Sequence, residues 1–344
     1  MALSFDVLAS TLRILRDREV DNTFKAIPLL DAVKAKGNIE KTNGGSKVNH
    51  PVILAEHSSI TQLSTGYESV NLAVKDPLRT AEFDWCDFVA PVVVTEKEQL
   101  TNKGDRAVIR IAEARLKSVM GMLQREFCKQ VVAGSSTVLT ELNTLNGETA
   151  ITNPTKGFFE KADFKTQTNE VGGISKGAFP QSWQNQVANV TAGGGGANFA
   201  SDGLRSMSRL MIETQQYAPE GEVDIILASP LSYELYRNAL TQQERYSSME
   251  QMRGTSGKLG LLYNGAMMYI EPNLGFDIGG TDKMSMYFLN SKLFNLYFDQ
   301  DAFFEMGEMK AISGYAAMSS NIMTRTQLAI SHLAGHGVLI NAEA

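Results

Sequence analysis

Residues 107–132, AVIRIAEARLKSVMGMLQREFCKQVV, constrain the fold more than any other stretch of this 344-residue chain. Val108, Ile111, Ala112, Leu116, Val119, Met120, Leu123, Phe127 and Val131 recur at three- and four-residue steps and make one apolar stripe. Arg106, Arg110, Glu113, Lys117, Arg125 and Lys129 occupy much of the rest of the circumference. The pattern predicts a helix over 105–133, about 43 Å long. A helix of that length is stable only if its stripe lies on another element. Such a length suits a spine crossing a flat molecule, and with the strand and helix signals of the rest of the chain the fold class reads as α+β.

Strand signals flank the helix on both sides. Val48, His50, Val52 and Leu54 alternate with polar or small residues, and Val70, Leu72 and Val74 do so again across the polar connector SSITQLSTGY. Two alternating runs around a polar link read as a long hairpin within 38–79. Its faces are only modestly apolar, so it is expected to lie on a neighbouring copy rather than on its own body. EFDWCDFVAPVVVT, residues 82–95, reads as a strand in which Pro91 marks an edge or a bend. Ahead of the hairpin, residues 5–35 carry a broken helical pattern with Leu8, Leu12 and Leu15 on one side.

Residues 134–198 are rich in Gly, Thr, Asn and Ser and end in TAGGGGANF, so they read as a connection with a hinge at Gly193–Gly196. A compact lobe follows. A helix is expected after the cap candidate Ser201, EVDIILAS reads as a buried strand, and Ser229 with Pro230 opens a second helix. Strands at 267–271, 284–290 and 293–299 complete the lobe. The alternating stretch 310–342 is expected to rejoin the earlier sheet.

No cluster of reactive side chains stands out. Gly254–Lys258, within GTSGKLG, lacks both the spacing and the hydroxyl after Lys258 that a phosphate-wrapping loop with magnesium requires, and reads as a turn. His332 and His336 stand four apart without a Glu between them to act as a base. Asp301, Glu305 and Glu308 read as a solvated acidic face. Cys86 and Cys128 are the only cysteines and read as two reduced, buried thiols. No catalytic residue, metal ligand or cofactor site is assigned. A net charge of −6 excludes a global basic field of the kind that holds nucleic acid in a specific site. No apolar run reaches the ~18 residues of a membrane span, and no signal peptide is expected.

The order of these elements resembles a tailed-phage major capsid protein of the fold named for phage Hong Kong 97. The opening LRILRDREVDNTFKAIPLLDAVKAKGNIEKTNGGSKVNHPVI is similar to a capsid arm leading into an extended hairpin, and KLGLLYNGAMMYIEPNLG, residues 258–275, to an apical-domain turn, strand and loop. The resemblance runs from about residue 10 to 342. It implies an N-terminal arm at 1–37, an extended loop at 38–79, a peripheral domain at 80–198 and 308–344 carrying the helix at 105–133 as its spine, and an apical domain at 199–307.

In function, the resemblance implies a non-enzymatic subunit of an icosahedral virion shell, a homo-oligomer of hexamers and pentamers assembled in the host cytoplasm around double-stranded DNA. Nonspecific contact with that DNA, a separate scaffolding protein, a portal and a decoration protein are the implied partners, and no membrane is involved. Lys47, Lys75 and Asn321 are of the residue types that crosslink in some relatives, but no local motif marks them and no crosslink is assigned. A tail-tube subunit, or a phosphate-handling enzyme built on Gly254–Lys258, are the competing readings.

Overall fold

The computed structural model describes residues 27–54, 77–97, 105–132, 144–146, 157–190, 199–218, 221–243, 251–253, 259–272 and 284–341, with single positions 62, 64, 66, 69 and 274. Four α-helices are named here: α1 (Pro28–Lys36), α2 (Asp105–Val132), α3 (Leu204–Tyr217) and α4 (Pro230–Gln243). The strands up to α3 are β1 (Ile39–Thr42), β2 (Lys47–Ile53), β3 (Leu78–Asp84), β4 (Cys86–Thr95), β5 (Thr144–Asn146), β6 (Gly157–Phe159), β7 (Glu170–Val171), β8 (Ile174–Ser175) and β9 (Gln186–Asn189). Those that follow are β10 (Ile225–Ala228), β11 (Gln251–Arg253), β12 (Leu259–Tyr263), β13 (Ala266–Ile270), β14 (Met284–Leu289), β15 (Phe294–Asp299), β16 (Glu305–Met306), β17 (Lys310–Ala311), β18 (Ala317–Ile330) and β19 (Gly337–Ile340).

The long helix occupies Asp105–Val132, within one residue of the expected span. Leu116, Met120, Leu123, Phe127 and Val131 of its stripe are buried. The stripe lies along β4, where Phe127 meets Phe88 edge-on at 5.6 Å and the Arg115 guanidinium donates to the Val93 carbonyl. Side chains of residues 105–112 lie outside the described residues, so the Val108–Ala112 part of the stripe is not placed.

Among the described residues β4 is an edge strand. It pairs there with β18 alone, antiparallel from Thr95↔Ala317 to Cys86↔Thr326, and Pro91 sits opposite Asn321 in that edge position, where a missing N–H costs no ladder bond. β18 is the axis of a six-stranded sheet whose other members are β1, β15, β16 and β17. The seven-stranded sheet has the order β11-β12-β13-β10-β14-β19-β9. Its central strand β10 alternates between two cores. Ile226 and Ala228 pack with Met207, Leu210 and Tyr236 of the helices α3 and α4, whereas Ile225 and Leu227 join the large core shared with the six-stranded sheet. That two-sided burial explains the unbroken apolar run in EVDIILAS.

Local signals set both ends of α1 and the start of α4. Pro28 takes the first turn of α1, and Gly37 ends it in the left-handed region at φ 80°, with N–H bonds from Gly37 to Lys34 O and from Asn38 to Val33 O. At α4 the Ser229 hydroxyl accepts the Ser232 N–H at 3.2 Å, and Pro230 follows it as expected. The helix expected after Ser201 begins at Leu204 instead, because Phe199–Gly203 forms a wider π turn.

Three chain segments depart from the sequence reading. β15, expected in the compact lobe, pairs with β18 and with β1 in the six-stranded sheet. The C-terminal stretch splits: β18 joins the earlier sheet, but β19 enters the seven-stranded sheet between β14 and β9. The hairpin pairs β2 with β3, Lys47↔Asp84 to Ile53↔Leu78, so its second arm is 78–84. Val70, Leu72 and Val74, the arm expected from alternation, lie outside the described residues, as do Leu8, Leu12, Leu15 and Gly193–Gly196.

Candidate functional site

With no reactive cluster among the described residues, the candidate site is a set of surfaces, and the hairpin root is the first. Its inner face is not left for a neighbour. Val48, His50, Val52, Ala81 and Phe83 are buried in the chain's own main core. His50 bridges the Tyr297 hydroxyl at 2.8 Å and the Ser331 hydroxyl at 2.9 Å, and burial holds its pKa below the usual imidazole value. Glu82 N–H donates to Gly172 O at 3.0 Å, and the Ser182 hydroxyl to Leu54 O at 2.8 Å. Gly172 has φ 60°, and a Cβ there would stand 2.8 Å from that of Ala81, so only glycine permits this approach. The expectation that the hairpin cannot satisfy itself is therefore corrected for its root; residues 55–61 and 70–76 lie outside the described residues.

The outer face of the root differs. Ile53 and Leu78, directly opposite each other, are 64% and 56% exposed, with the Lys47–Glu82 ion pair at 3.2 Å farther along. A second apolar pair lies on the outer face of the six-stranded sheet, where Val89 of β4 stands opposite Met323 of β18 and both are exposed. Asn321 is exposed beside them, and Arg325 holds Asp87 at 3.2 Å. These two exposed apolar cross-strand pairs are the candidate contact surfaces among the described residues. On α2, Lys117, Arg125 and Lys129 are exposed, with Met122.

Behind the hairpin root, residues 157–190 form a buried polar hub that composition had presented as a connection. Trp183 is fully buried and donates to Val171 O. Three carboxamides hold the surrounding loops: Gln184 donates to Gln167 O and Lys176 O and accepts the Lys165 N–H; Gln167 bonds Ala162 O, Asn185 O and Asn185 N; Asn185 bonds both main-chain groups of Glu160. Inside lies the Lys176 ammonium, 2.7 Å from Phe158 O and 3.0 Å from Glu160 Oε1. Burial pushes its pKa down to about 8 against the pull of Glu160. The sequence signal for this hub is the run QSWQNQ, residues 181–186, in which amides alternate around a tryptophan.

The remaining candidates are not assembled into a site. His332 and His336 are buried in the turn between β18 and β19, with pKa values lowered by burial to about 4 and about 3, the second also by its neighbour His332. His336 Nδ1 accepts the Asn290 N–H, and its ring lies 4.8 Å from Phe294, as a core residue would. Asp301, Glu305 and Glu308 are exposed. Among the described residues no group of three or more metal-binding side chains occurs. Cys86 is buried and joins no disulfide among the described residues; Gly254–Lys258, Lys75 and the Cys128 side chain lie outside the described residues.

No family model and no curated protein matches this chain. Solved structures do. The capsid asymmetric unit of cyanophage A-1(L) superposes with a TM-score of 0.56 at 11% identity, covering 88% of this chain and 89% of that one. The mature capsid of bacteriophage PhiM1 gives 0.51 at 10% identity over 88% and 85%, and the holo-SrpI encapsulin complex from Synechococcus elongatus PCC 7942 gives 0.50 at 13% over 88% and 84%. The chain has the Hong Kong 97-type fold of tailed-phage capsid proteins.

Proposed function

We propose that the chain is the major shell subunit of a tailed phage, a non-enzymatic protein that closes into an icosahedral body of hexamers and pentamers around double-stranded DNA. The observation that carries this is the match of nearly the whole chain to the subunits of phage capsids. The exposed pairs Ile53–Leu78 and Val89–Met323 support it, because each presents apolar surface on a rigid sheet. The outer face of the hairpin root lies on a neighbouring copy, and many such modest contacts multiplied by symmetry make the shell. The peripheral domain is built on the six-stranded sheet with α2, and the apical domain on the seven-stranded sheet with α3 and α4. Scaffolding, portal and decoration proteins are its partners during assembly in the host cytoplasm.

Lys117, Arg125 and Lys129 on the exposed side of α2 face the packaged DNA or neighbouring subunits, and any phosphate contacts they make carry no sequence preference. Electron microscopy of the chain expressed in bacteria, alone and with a candidate scaffolding protein, tests the reading. Closed round shells are expected; open tubes would favour a tail subunit, and dispersed single molecules under both conditions would overturn the proposal. Nuclease-protected DNA in particles from infected cells tests the genome assignment, and its absence would leave a shell for another cargo.

A further inference from the structure

An asparagine followed by glycine carries a chemistry of its own. Glycine has no Cβ, so its main-chain nitrogen can close on the side-chain carbonyl carbon of the asparagine before it. Among the described residues two such steps occur, Asn43–Gly44 between β1 and β2 and Asn264–Gly265 between β12 and β13. All four residues are exposed, and at either glycine an added Cβ would meet nothing within 4 Å. Residue type and exposure therefore rank the two steps as equals. The backbone separates them.

Asn264 and Gly265 are the two central residues of a tight hairpin turn, at φ 45° and 88°, closed by the Tyr263↔Ala266 pair. Beyond the turn, Ala266 and Met268 are fully buried in the core shared with α3 and α4. Ring closure has to rotate the peptide plane between asparagine and glycine, and here that plane is held from both ends until the hairpin end opens. Asn43 has no such frame. β1 stops at Thr42 and β2 starts at Lys47, and the Gly44 N–H makes no hydrogen bond among the described residues. Gly45 follows, so two consecutive glycines leave the backbone beside Asn43 free to turn.

We propose that Asn43 is a site of spontaneous deamidation, with water as its only co-reactant. The Gly44 nitrogen attacks Asn43 Cγ and gives up its proton, the side-chain amide nitrogen leaves as ammonia, and the new C–N bond closes a succinimide. Water then adds to one of the two ring carbonyls and opens the ring. One opening leaves aspartate; the other leaves isoaspartate, in which the main chain runs through the side chain and is one methylene longer. Both place a new carboxylate at the joint between the six-stranded sheet and the hairpin root, and the second also lengthens that joint. The site is independent of the shell assignment, and its failure would leave that assignment standing.

Peptide mapping by mass spectrometry, on the purified full chain aged in mildly alkaline buffer, follows both steps at once. In the folded chain Asn43 should convert at least about tenfold faster than Asn264, a difference of about 1.4 kcal/mol in activation free energy. A methyltransferase specific for isoaspartate should label the aged chain at the Asn43 peptide, and Asn43→Gln should abolish that label. In denaturant the two steps should convert at similar rates, because the protection of Asn264 comes from its turn. Asn43 still intact after the denatured chain has converted would overturn the proposal, as would Asn264 converting at an equal or greater rate in the folded chain. A rate gap that persists in denaturant would place the difference in flanking residues and overturn it as well.

Discussion

The interface between α2 and β4 and the hub at 157–190 both support the large core, yet opposite physics holds them. Along α2, one apolar stripe meets one sheet edge, and Leu116, Met120 and Phe127 vanish from water with almost no polar bonding. The hub buries Gln167, Lys176, Gln184 and Asn185 and spends each of their polar atoms on a loop carbonyl or amide. Apolar stripes tolerate imperfect partners, because burial energy is nondirectional. A buried polar network tolerates very little, since each lost partner strands another buried group. The hairpin root rests on the intolerant region, through Gly172 and Ser182.

That contrast ranks the expected effects. Lys176→Ala leaves Glu160 buried without its cation and should cost about 3–5 kcal/mol, read as a shift in the denaturation midpoint of unassembled chain. Adding Glu160→Ala should return part of the loss, so the double-mutant cycle gives a coupling well above zero; additivity would mean the pair is not a unit. Leu116→Ala, in the tolerant interface, should cost about 3 kcal/mol through cavity formation. Its loss should change little when Lys176 is also replaced.

Acid supplies the next test. His332 and His336 titrate near 4 and 3 in the fold because burial disfavours their charge, whereas an unfolded imidazole titrates near 6.5. The unfolded chain thus binds more protons below pH 6.5. Stability should be unaffected by these groups above that value and should fall as pH drops toward 4, by up to about 1.4 kcal/mol per pH unit for each histidine. His336→Asn should flatten the denaturation midpoint's dependence on pH. Smallest is Ser229→Ala, which removes the α4 cap and should cost about 1 kcal/mol without altering the hub.

The same contrast explains what could be read from the sequence. Periodicity reports nondirectional burial, so α2 was legible to within a residue and EVDIILAS to its buried core. Hub contacts obey no period. Lys176 and Gln184 are set by carbonyls of loops that composition describes only as polar, and the segment read as a connection. Sheet membership was equally hidden: β15 and β19 exchange sheets although their apolar patterns are alike, because alternation specifies faces and not neighbours. Val48, His50 and Val52 were correctly placed on one face of a hairpin, but that face lies on the chain's own body.

A reconstruction of the particle formed by this chain, at a resolution that separates side chains, tests the central claim most directly. The account predicts that Ile53 and Leu78, exposed in the single chain, lie seated on a neighbouring copy while Val48 and Phe83 keep their places in their own core. Closed particles in which Ile53 and Leu78 both face solvent would contradict it.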